Sequence, residues 1–496
     1  MGSVDTVVRT TAGCVRGARE AGLTVWRGVP FAAPPVGRLR FRAPEPPDPW
    51  DGIRDATQDG PVPPQPRTST LTGAGLRTPM SEDCLTLTVA RRTTGTEPKP
   101  VMVFIYGGAF GIGGAIAGQY RGESLAASGD VVFVGFNYRL GALGWLDLSA
   151  YGDEDDPIET NLGLRDQLAA LAWVRDNIAA FGGDPDDVTL FGESAGGTSV
   201  LTLMTVPAAR GLFAKAIAQS PAISSVHGNA RSRGWAEEFV ADLPGGAAAL
   251  RSVGTAELVS ASFRLDMAVS DRTPAARALG PVVDGDLVPD YPLDVLRRGE
   301  AHPIPLIIGT NADEGTLFQR IRRLRATPVR MDRLFDATVP AAKEPVLAEY
   351  GGGRGARALE RFVTDLVFWA PAVDAAAGHA RVAPVWMYRF DFAPPALRAL
   401  GLRAGHGLEL DHVLAHRGGL TRRLASLFGA DRAARALTGR MSGAWLCFAR
   451  TGAGPAWWPR FDGRHRRTWV FDRHDRLETD SRARVREAWR SWQPYG

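Results

Sequence analysis

The sequence predicts an α/β protein built on one large, mostly parallel sheet flanked by helices. Continuous apolar runs occur at VMVFIYGG (101–108), VVFVGFNY (131–138) and VTLFGE (188–193). Between the last two lies LRDQLAALAWVRDNIAAF (164–181), whose apolar residues recur at helical spacing. Strands without polar alternation are buried on both faces, as in parallel sheets covered by helices.

The same pattern returns in the second half of the chain. PIPLIIGT (303–310) and VWMYRFDF (385–392) are apolar runs that end in polar or Gly-containing loops. The Ala- and Arg-rich stretches 232–265, 319–350 and 420–450 are expected to form helices that cover the sheet or roof the site. Neither an internal repeat nor a linker divides the 496 residues, so we expect a single domain over 1–496.

Composition places the chain among ordinary soluble globular proteins, with 45% hydrophobic and 23% charged residues. The formal net charge is only +4, and Arg residues are interspersed with Asp and Glu, which argues against a nucleic-acid partner. No window approaches 18 uncharged apolar residues, and MGSVDTVVRT lacks the order of a secretion signal. These features predict a cytoplasmic protein without a membrane span and leave the oligomeric state open.

The 3 cysteines are too few and too far apart for a disulfide framework or a zinc site. They are expected to be buried thiols: Cys14, Cys84 and Cys447.

The segment FGESAGGTSV (191–200) fits the G-x-S-x-G pattern, in which a strand turns sharply into a helix and exposes a Ser hydroxyl. Ser194 is therefore a candidate nucleophile. The pattern alone also describes a Gly-rich turn that caps a helix, so the interpretation depends on the rest of the chain.

Further segments resemble one family, the type B carboxylesterases, which are the cholinesterase-like branch of the α/β-hydrolase fold and include bacterial members. The resemblance implies a large central twisted sheet with helical insertions over the active site. It also implies hydrolysis of small-molecule esters without a metal or organic cofactor. The matching segments run through nearly the whole chain: GVPFAAPPVGRLRF (28–41), SEDCLTLTV (81–89), IYGGAF (105–110), FNYRLGALGWL (136–146), 161–197, NADEGTLF (311–318), HGLELDHVL (406–414) and FARTGAGP (448–455).

A Ser nucleophile needs a base, and in this fold the triad follows the order Ser, acid, His. His406 opens HGLEL on a Gly-flanked loop before an apolar run, and the family motif falls on the same residue. His412, six residues further on, is the best competitor. The histidines considered for this role are His379, His406, His412, His416 and His465.

Two neighbouring acids, Asp313 and Glu314, follow the predicted strand at 303–310. Either carboxylate could accept the imidazole N–H, so residue chemistry alone leaves the choice open. The resemblance selects the second acid, Glu314, as the triad member. Asp313 is then expected to bond backbone amides of its own loop.

Acyl transfer also needs donors for the oxyanion. The N–H of the residue after the nucleophile, Ala195, is one, and the loop YGGAF supplies Gly108 and Ala109 as the others. The resemblance implies that Glu193 supports the triad through hydrogen bonds; otherwise Glu193 would be a surface acid at a helix start.

Two departures from the family pattern stand out. Tyr106 occupies a position where many esterases carry His, which alters local hydrogen bonds but leaves the backbone donors in place. Cys84 follows GPVPPQP (60–66), which holds no earlier Cys to pair with it.

The rival functions use the same residues differently. A Ser-His-Glu triad also suits an amidase, a carbamate hydrolase or a thioesterase. A non-catalytic binding protein is disfavoured because all three triad residues are present. Phe110, Phe318 and Phe368 either line the pocket or fill the core, and the core is favoured. The stretch Arg67–Met80 is expected to be a mobile loop near the entrance.

Overall fold

The computed structural model describes residues 5–67, 73–75, 77–95, 97–273, 276–321, 324–353, 355–416, 423–425 and 430–492. Its strands are β1 (Val7–Arg9), β2 (Cys14–Arg16), β3 (Ala18–Glu20), β4 (Leu23–Pro30), β5 (Ile53–Asp55), β6 (Thr86–Arg92), β7 (Lys99–Ile105), β8 (Val132–Phe136), β9 (Gly183–Glu193), β10 (Lys215–Gln219), β11 (His227–Gly228), β12 (Val282–Val283), β13 (Leu306–Asn311), β14 (Val385–Phe390), β15 (Arg467–Phe471) and β16 (Arg476–Thr479).

The α-helices cover the sheet and the site. They are α1 (Glu123–Gly129), α2 (Ala142–Trp145), α3 (Leu162–Asn177), α4 (Ala195–Leu203), α5 (Asn229–Ala241), α6 (Thr255–Arg272), α7 (Pro292–Arg298), α8 (Gly315–Phe318), α9 (Pro328–Asp336), α10 (Lys343–Ala348), α11 (Ala356–Thr364), α12 (Ala370–His379), α13 (Pro395–Ala399), α14 (Leu410–Val413), α15 (Asp431–Thr451) and α16 (Ala483–Trp489). A π-helical turn, Asp365–Trp369, joins α11 to α12.

Within the described residues, 11 strands form the main sheet in the order β16-β15-β14-β13-β10-β9-β7-β8-β6-β4-β3. The neighbouring strands β15, β14, β13, β10, β9, β7 and β8 run parallel to one another. At the two edges of the sheet, β16 on one side and β6, β4 and β3 on the other pair antiparallel. Strands β8, β10 and β13 are buried along their whole length. The predicted mostly parallel sheet with helices on its faces is confirmed.

The predicted helical stretches are interrupted where the backbone demands it. The stretch 232–265 covers the end of α5 and the start of α6. The helix breaks between them because the intervening LPGG (243–246) contains a Pro, followed by two glycines at positive φ. The stretch 319–350 contains α9 and α10, and 420–450 contains most of α15. In the part of the chain that the structure describes, no helix is long and apolar enough to cross a membrane.

The sheet brings three distant segments to one edge. Ser194 follows β9, Glu314 lies three residues beyond β13, and His406 lies on the loop between α13 and α14. Because β9, β10 and β13 are parallel neighbours, their carboxyl ends share an edge, where ligands bind in open α/β sheets.

Candidate active site

Ser194 sits on a strained turn between β9 and α4. Its backbone has φ 58° and ψ −121°, a conformation that a non-Gly residue adopts only when the surrounding structure imposes it. The two glycines of the motif permit this packing. A Cβ on Gly196 would lie 2.0 Å from the carbonyl oxygen of Ile105, and one on Gly192 would lie 2.6 Å from the backbone of Gly196. The turn therefore requires both glycines and projects the Ser194 hydroxyl outward.

A chain of hydrogen-bonding groups leads away from that hydroxyl. His406 Nε2 lies 2.8 Å from Ser194 Oγ, and His406 Nδ1 lies 2.6 Å from Glu314 Oε2. The other Glu314 oxygen accepts hydrogen bonds from Ser220 Oγ at 2.6 Å and from the Asn311 N–H at 2.7 Å. Glu314 is fully buried, so its contacts are held in a site from which water is excluded.

The other candidate histidines lie elsewhere. His412 is buried and bonds Thr438 through Nδ1, and His379 contacts the carbonyl of Ile304. His416 contacts the carbonyl of Gln119, and His465 pairs with Asp462. Of the five sequence candidates, the structure brings only His406 to Ser194.

The expectation for Asp313 differs from the structure. Its carboxylate bonds the His406 loop rather than its own loop: Arg403 Nε donates at 2.8 Å and the Ala404 N–H at 3.4 Å. The Asp313 N–H in turn donates to the carbonyl of Ala404 at 3.0 Å. Asn311 Nδ2 adds a bond to the carbonyl of Gly405 at 2.8 Å. These contacts bind the loop that carries Asp313 and Glu314, the acid loop, to the loop that carries His406, the His406 loop. The two loops are about 90 residues apart in sequence, so the sequence does not predict that they touch.

The residues expected to supply the oxyanion donors line the cavities at Ser194. Gly108 and Ala109 have positive φ values of 124° and 52°, and a Cβ on Gly108 would lie 2.0 Å from the carbonyl oxygen of Ile112. Among the residues described, none of the N–H groups of Gly108, Ala109 and Ala195 donates to a protein acceptor. Ala195 opens α4, whose N-terminal amides and dipole favour negative charge.

Glu193 lies beside the catalytic histidine candidate, with Oε1 3.3 Å from His406 Nε2. Burial raises the pKa of Glu193 to about 8. Burial by itself lowers the pKa of His406, but the carboxylates of Glu193 and Glu314 outweigh it and raise that pKa to about 9. The two shifts are linked, because a protonated Glu193 no longer favours the imidazolium.

A further buried acid, Glu409, completes this group. It accepts hydrogen bonds from Gln219 Nε2 at 3.2 Å and Asn311 Nδ2 at 2.5 Å. Burial, together with the charge of Glu314, raises the pKa of Glu409 to about 7. Neither Glu409 nor Ser220 is among the site residues predicted from the sequence. Ser220 follows β10 at the same edge as Ser194, and that position after a buried strand was the available signal.

Two cavities meet at Ser194. The larger, about 990 Å³, is also lined by His406, Gly108 and the apolar residues Leu143 and Leu279. The smaller, about 120 Å³, is lined by Ala195 and by side chains of α9, α11 and the π-helical turn. Ser194 and Ala109 line both cavities. A bound molecule can therefore extend to either side of the nucleophile candidate.

All three aromatic residues line a cavity, and Phe110 and Phe368 are at the same time buried in the core as expected. Phe318 lines both cavities, and Phe110 and Phe368 line the smaller one. The rings of Phe318 and Phe368 pack against His406 at centroid distances of 5.2 and 4.8 Å. Within Arg67–Met80, residues 68–72 and 76 lie outside the described ranges, so the expected entrance loop stays a prediction.

The carboxylesterase family model matches residues 4–489. The chain belongs to this family. It is 39% identical to the para-nitrobenzyl esterase of Bacillus subtilis (strain 168), over 97% of this chain and 98% of the relative. It is 34% identical to the cocaine esterase of Homo sapiens, over 90% of this chain and 83% of the relative. A crystal structure of a Geobacillus stearothermophilus carboxylesterase superposes with a TM-score of 0.85 at 36% identity, covering 98% and 100% of the two chains. This carboxylesterase is accordingly an α/β-hydrolase that hydrolyses carboxylic esters.

The two departures from the family pattern have local explanations in this carboxylesterase. The Tyr106 ring stacks on Tyr138 at 4.3 Å, and the two residues exchange hydrogen bonds, from Tyr106 Oη to the Tyr138 carbonyl and from Tyr138 Oη to the Tyr106 carbonyl. Tyr106 thus anchors the strand end that leads into the Gly108 loop. Cys84 is a buried free thiol, whereas Cys14 and Cys447 are free but only partly buried.

Proposed function

We propose that the chain hydrolyses carboxylic esters through a covalent acyl-enzyme formed on Ser194, with His406 as the general base and Glu314 as the acid that orients it. The hydrogen-bonded series Ser194, His406, Glu314 at the meeting point of two cavities carries this proposal. Asp313 has a different part, because it contacts Arg403 and Ala404 rather than an imidazole.

The geometry supports the following course of reaction. As Ser194 Oγ attacks the ester carbonyl, its proton passes to His406 Nε2, and Nδ1–H remains directed at Glu314. The N–H groups of Gly108, Ala109 and Ala195 stabilise the negative oxygen. Collapse expels the alcohol, which takes the proton back from Nε2. Water then attacks the acyl-enzyme with the same proton transfers, releasing the acid and restoring the Ser194 hydroxyl.

The two cavities divide the substrate between them. His406 lines the larger cavity but not the smaller one. Because His406 protonates the departing alcohol oxygen, the alcohol must leave on the side of the larger cavity. The acyl chain then extends into the smaller cavity, beside Ala195.

The test combines turnover with covalent labelling. The purified chain should release a burst of 4-nitrophenol from a short-chain 4-nitrophenyl ester, equimolar with active sites, if deacylation is slower than acylation. A fluorophosphonate should add to Ser194, as peptide mass spectrometry detects, and Ser194→Ala should take up no label. Labelling together with turnover of matched amide, carbamate or thioester substrates in preference to esters would redirect the assignment to those classes. An unlabelled, folded wild type would overturn the catalytic proposal.

The acidic limb of the pH profile should depend on Glu193. His406 acts as a base only when neutral, and the ionised Glu193 favours its protonated form. Glu193→Gln removes that charge, lowers the pKa of His406 and should move the acidic limb of kcat/KM to lower pH by about one unit. Glu409→Gln should move it less, because Glu409 makes the smaller contribution to the pKa of His406. An acidic limb unchanged in Glu193→Gln would contradict this electrostatic role.

Arg403 should act as a positioning residue for His406. Its guanidinium contacts both Asp313 and Glu360, so it joins the His406 loop to the acid loop and to α11. We expect Arg403→Gln to lower kcat about tenfold with little change in KM, because misplacement of a catalytic group affects the chemical step rather than binding. Arg298→Gln is the matched control, since Arg298 also bridges two carboxylates, but these are Asp290 and Glu300, which belong to neither the acid loop nor the His406 loop. An equal effect of both variants on kcat would refute the positioning role.

A further inference from the structure

The smaller cavity combines apolar walls with positively charged side chains. Three arginines line it: Arg277, Arg325 and Arg330. Its described lining contains no Asp or Glu side chain. The rest of the wall is largely apolar, with contributions from Leu334 and Phe362. Cationic side chains around an apolar chamber produce a positive potential that water screens only partly.

The three arginines differ in how their charges are balanced. Arg277 lines both cavities and forms a two-pronged ion pair with Asp266, which lines the larger one. Arg330 lies 3.4 Å from Asp271 and donates to the carbonyl of Ser270. Burial lowers the pKa of the Arg330 guanidinium, because its charge is partly removed from water.

Arg325 is the least compensated of the three. It is exposed, and its Nε donates to the carbonyl of Gln319 at 2.9 Å. Within the described ranges, no Asp or Glu forms an ion pair with Arg325. Its two terminal nitrogens retain N–H groups that suit bidentate contact with a carboxylate.

We infer that the smaller cavity is an anion subsite for acyl groups that end in a carboxylate, with Arg325 pairing with that carboxylate. The inference rests on the proposed function, which directs the acyl chain into this cavity. The substrate class is a half-ester of an aliphatic dicarboxylic acid: the methylenes contact the apolar wall, and the terminal charge meets the arginines. Hydrolysis consumes one water and yields the free diacid and the alcohol.

The test compares matched acyl groups on one leaving group. 4-Nitrobenzyl esters of pentanoic and hexanoic acids are paired with the 4-nitrobenzyl half-esters of glutaric and adipic acids, which replace the terminal methyl by carboxylate. The alkyl leaving group keeps attack by the substrate's own carboxylate slow. The ratio of kcat/KM for the half-ester to that for the neutral ester reports the subsite, because a general loss of activity cancels.

Arg325→Gln should lower that ratio about tenfold, the size expected for one lost charge-assisted hydrogen-bonding pair. Arg320→Gln is the control, because Arg320 is close in sequence but lines neither cavity. The wild-type ratio should also fall as ionic strength rises, since Arg325 is accessible to salt. A ratio equal in wild type and Arg325→Gln, with neutral esters turned over, would overturn the subsite and leave the esterase function intact.

A binding measurement keeps the two proposals separate. Calorimetry on Ser194→Ala with monobenzyl glutarate measures the subsite without turnover. The dissociation constant should rise about tenfold when Arg325→Gln is added to Ser194→Ala. Binding that is equally weak in both variants would refute the subsite whether or not the wild type hydrolyses esters.

Discussion

Glu314→Gln is expected to lower kcat for 4-nitrophenyl ester hydrolysis by about 10⁴-fold, with KM changed far less. The contacts of Glu314 explain the size of the effect. Ser220 Oγ and the Asn311 N–H both donate to Oε1, so they would hold the Gln carbonyl oxygen at that position. The Gln amide NH₂ would then face His406 Nδ1. Nδ1 would have to accept a hydrogen bond, and the proton would move to Nε2, which could no longer take the Ser194 proton.

The comparison with Asp313→Asn decides between the two neighbouring acids. Asp313 holds the His406 loop through Arg403 and Ala404, so its loss should cost about tenfold in kcat by loosening the position of His406. Steady-state kinetics of both variants, with circular dichroism as the check on folding, measures the difference. A larger loss of kcat in Asp313→Asn than in Glu314→Gln would show that Asp313, not Glu314, orients His406.

The main features of the fold could be predicted because the central strands carry a local signal. β8 and most of β13 fall in the apolar runs 131–138 and 303–310, because burial on both faces requires apolar residues there. The equally buried β10 (KAIAQ) begins with Lys215 and ends with Gln219, so it carries no such run and is not predicted. The edge strands were not predicted. β3 and β16 are short and largely exposed, and such strands lack the apolar pattern on which strand prediction depends.

The residues of the candidate site also differ in whether a local sequence pattern identifies them. Ser194 lies in a motif that the backbone itself requires, because Gly192 and Gly196 must let β9 and α4 approach β7. Ser220 and Glu409 are single polar residues whose contacts span 94 and 98 residues of sequence, to Glu314 and Asn311 respectively. Only the assembled sheet edge gives those residues a partner, so residue pattern alone does not identify them.

Residue chemistry alone does not identify the triad acid or the triad histidine in the sequence. Asp313 and Glu314 are adjacent and chemically equivalent, and the family resemblance separated them. In the structure, the two carboxylates differ in the direction in which they point. Glu314 lies at the start of α8 and faces inward to His406, whereas the Asp313 carboxylate meets Arg403. Those directions depend on the loop that carries His406, about 90 residues away in sequence.

The largest stability effect should come from a buried ion pair that directly precedes, along the chain, one wall of the larger cavity. Arg139 and Asp166 have side chains that are only 3% and 0% exposed, and Asp166 accepts hydrogen bonds from Arg139 Nε at 2.8 Å and Nη2 at 2.6 Å. Asp166 also accepts from the Arg139 N–H at 3.0 Å. The next residues, Leu140 to Leu143, line the larger cavity, so this pair holds the chain from which one cavity wall is built.

Arg139→Met should lower the free energy of unfolding by about 3–5 kcal/mol, because it leaves the Asp166 carboxylate buried without its counter-charge. Urea unfolding followed by tryptophan fluorescence measures the loss. Arg264→Met is the control: the Arg264 side chain is 49% exposed, and its ion pairs with Asp242 and Glu257 lie in water, so its loss should cost less than about 1 kcal/mol.

The double variant separates the buried charge from the lost packing. Arg139→Met with Asp166→Leu removes both charges and should recover part of the stability, since it is the unpaired carboxylate that is costly. The deficit of Arg139→Met alone should also shrink as pH falls. An unpaired buried carboxylate has a folded-state pKa above its unfolded value, so protonation favours the folded state of that variant. Equal losses in Arg139→Met and Arg264→Met, or a deficit independent of pH, would show that the Arg139–Asp166 pair contributes no more than a surface pair.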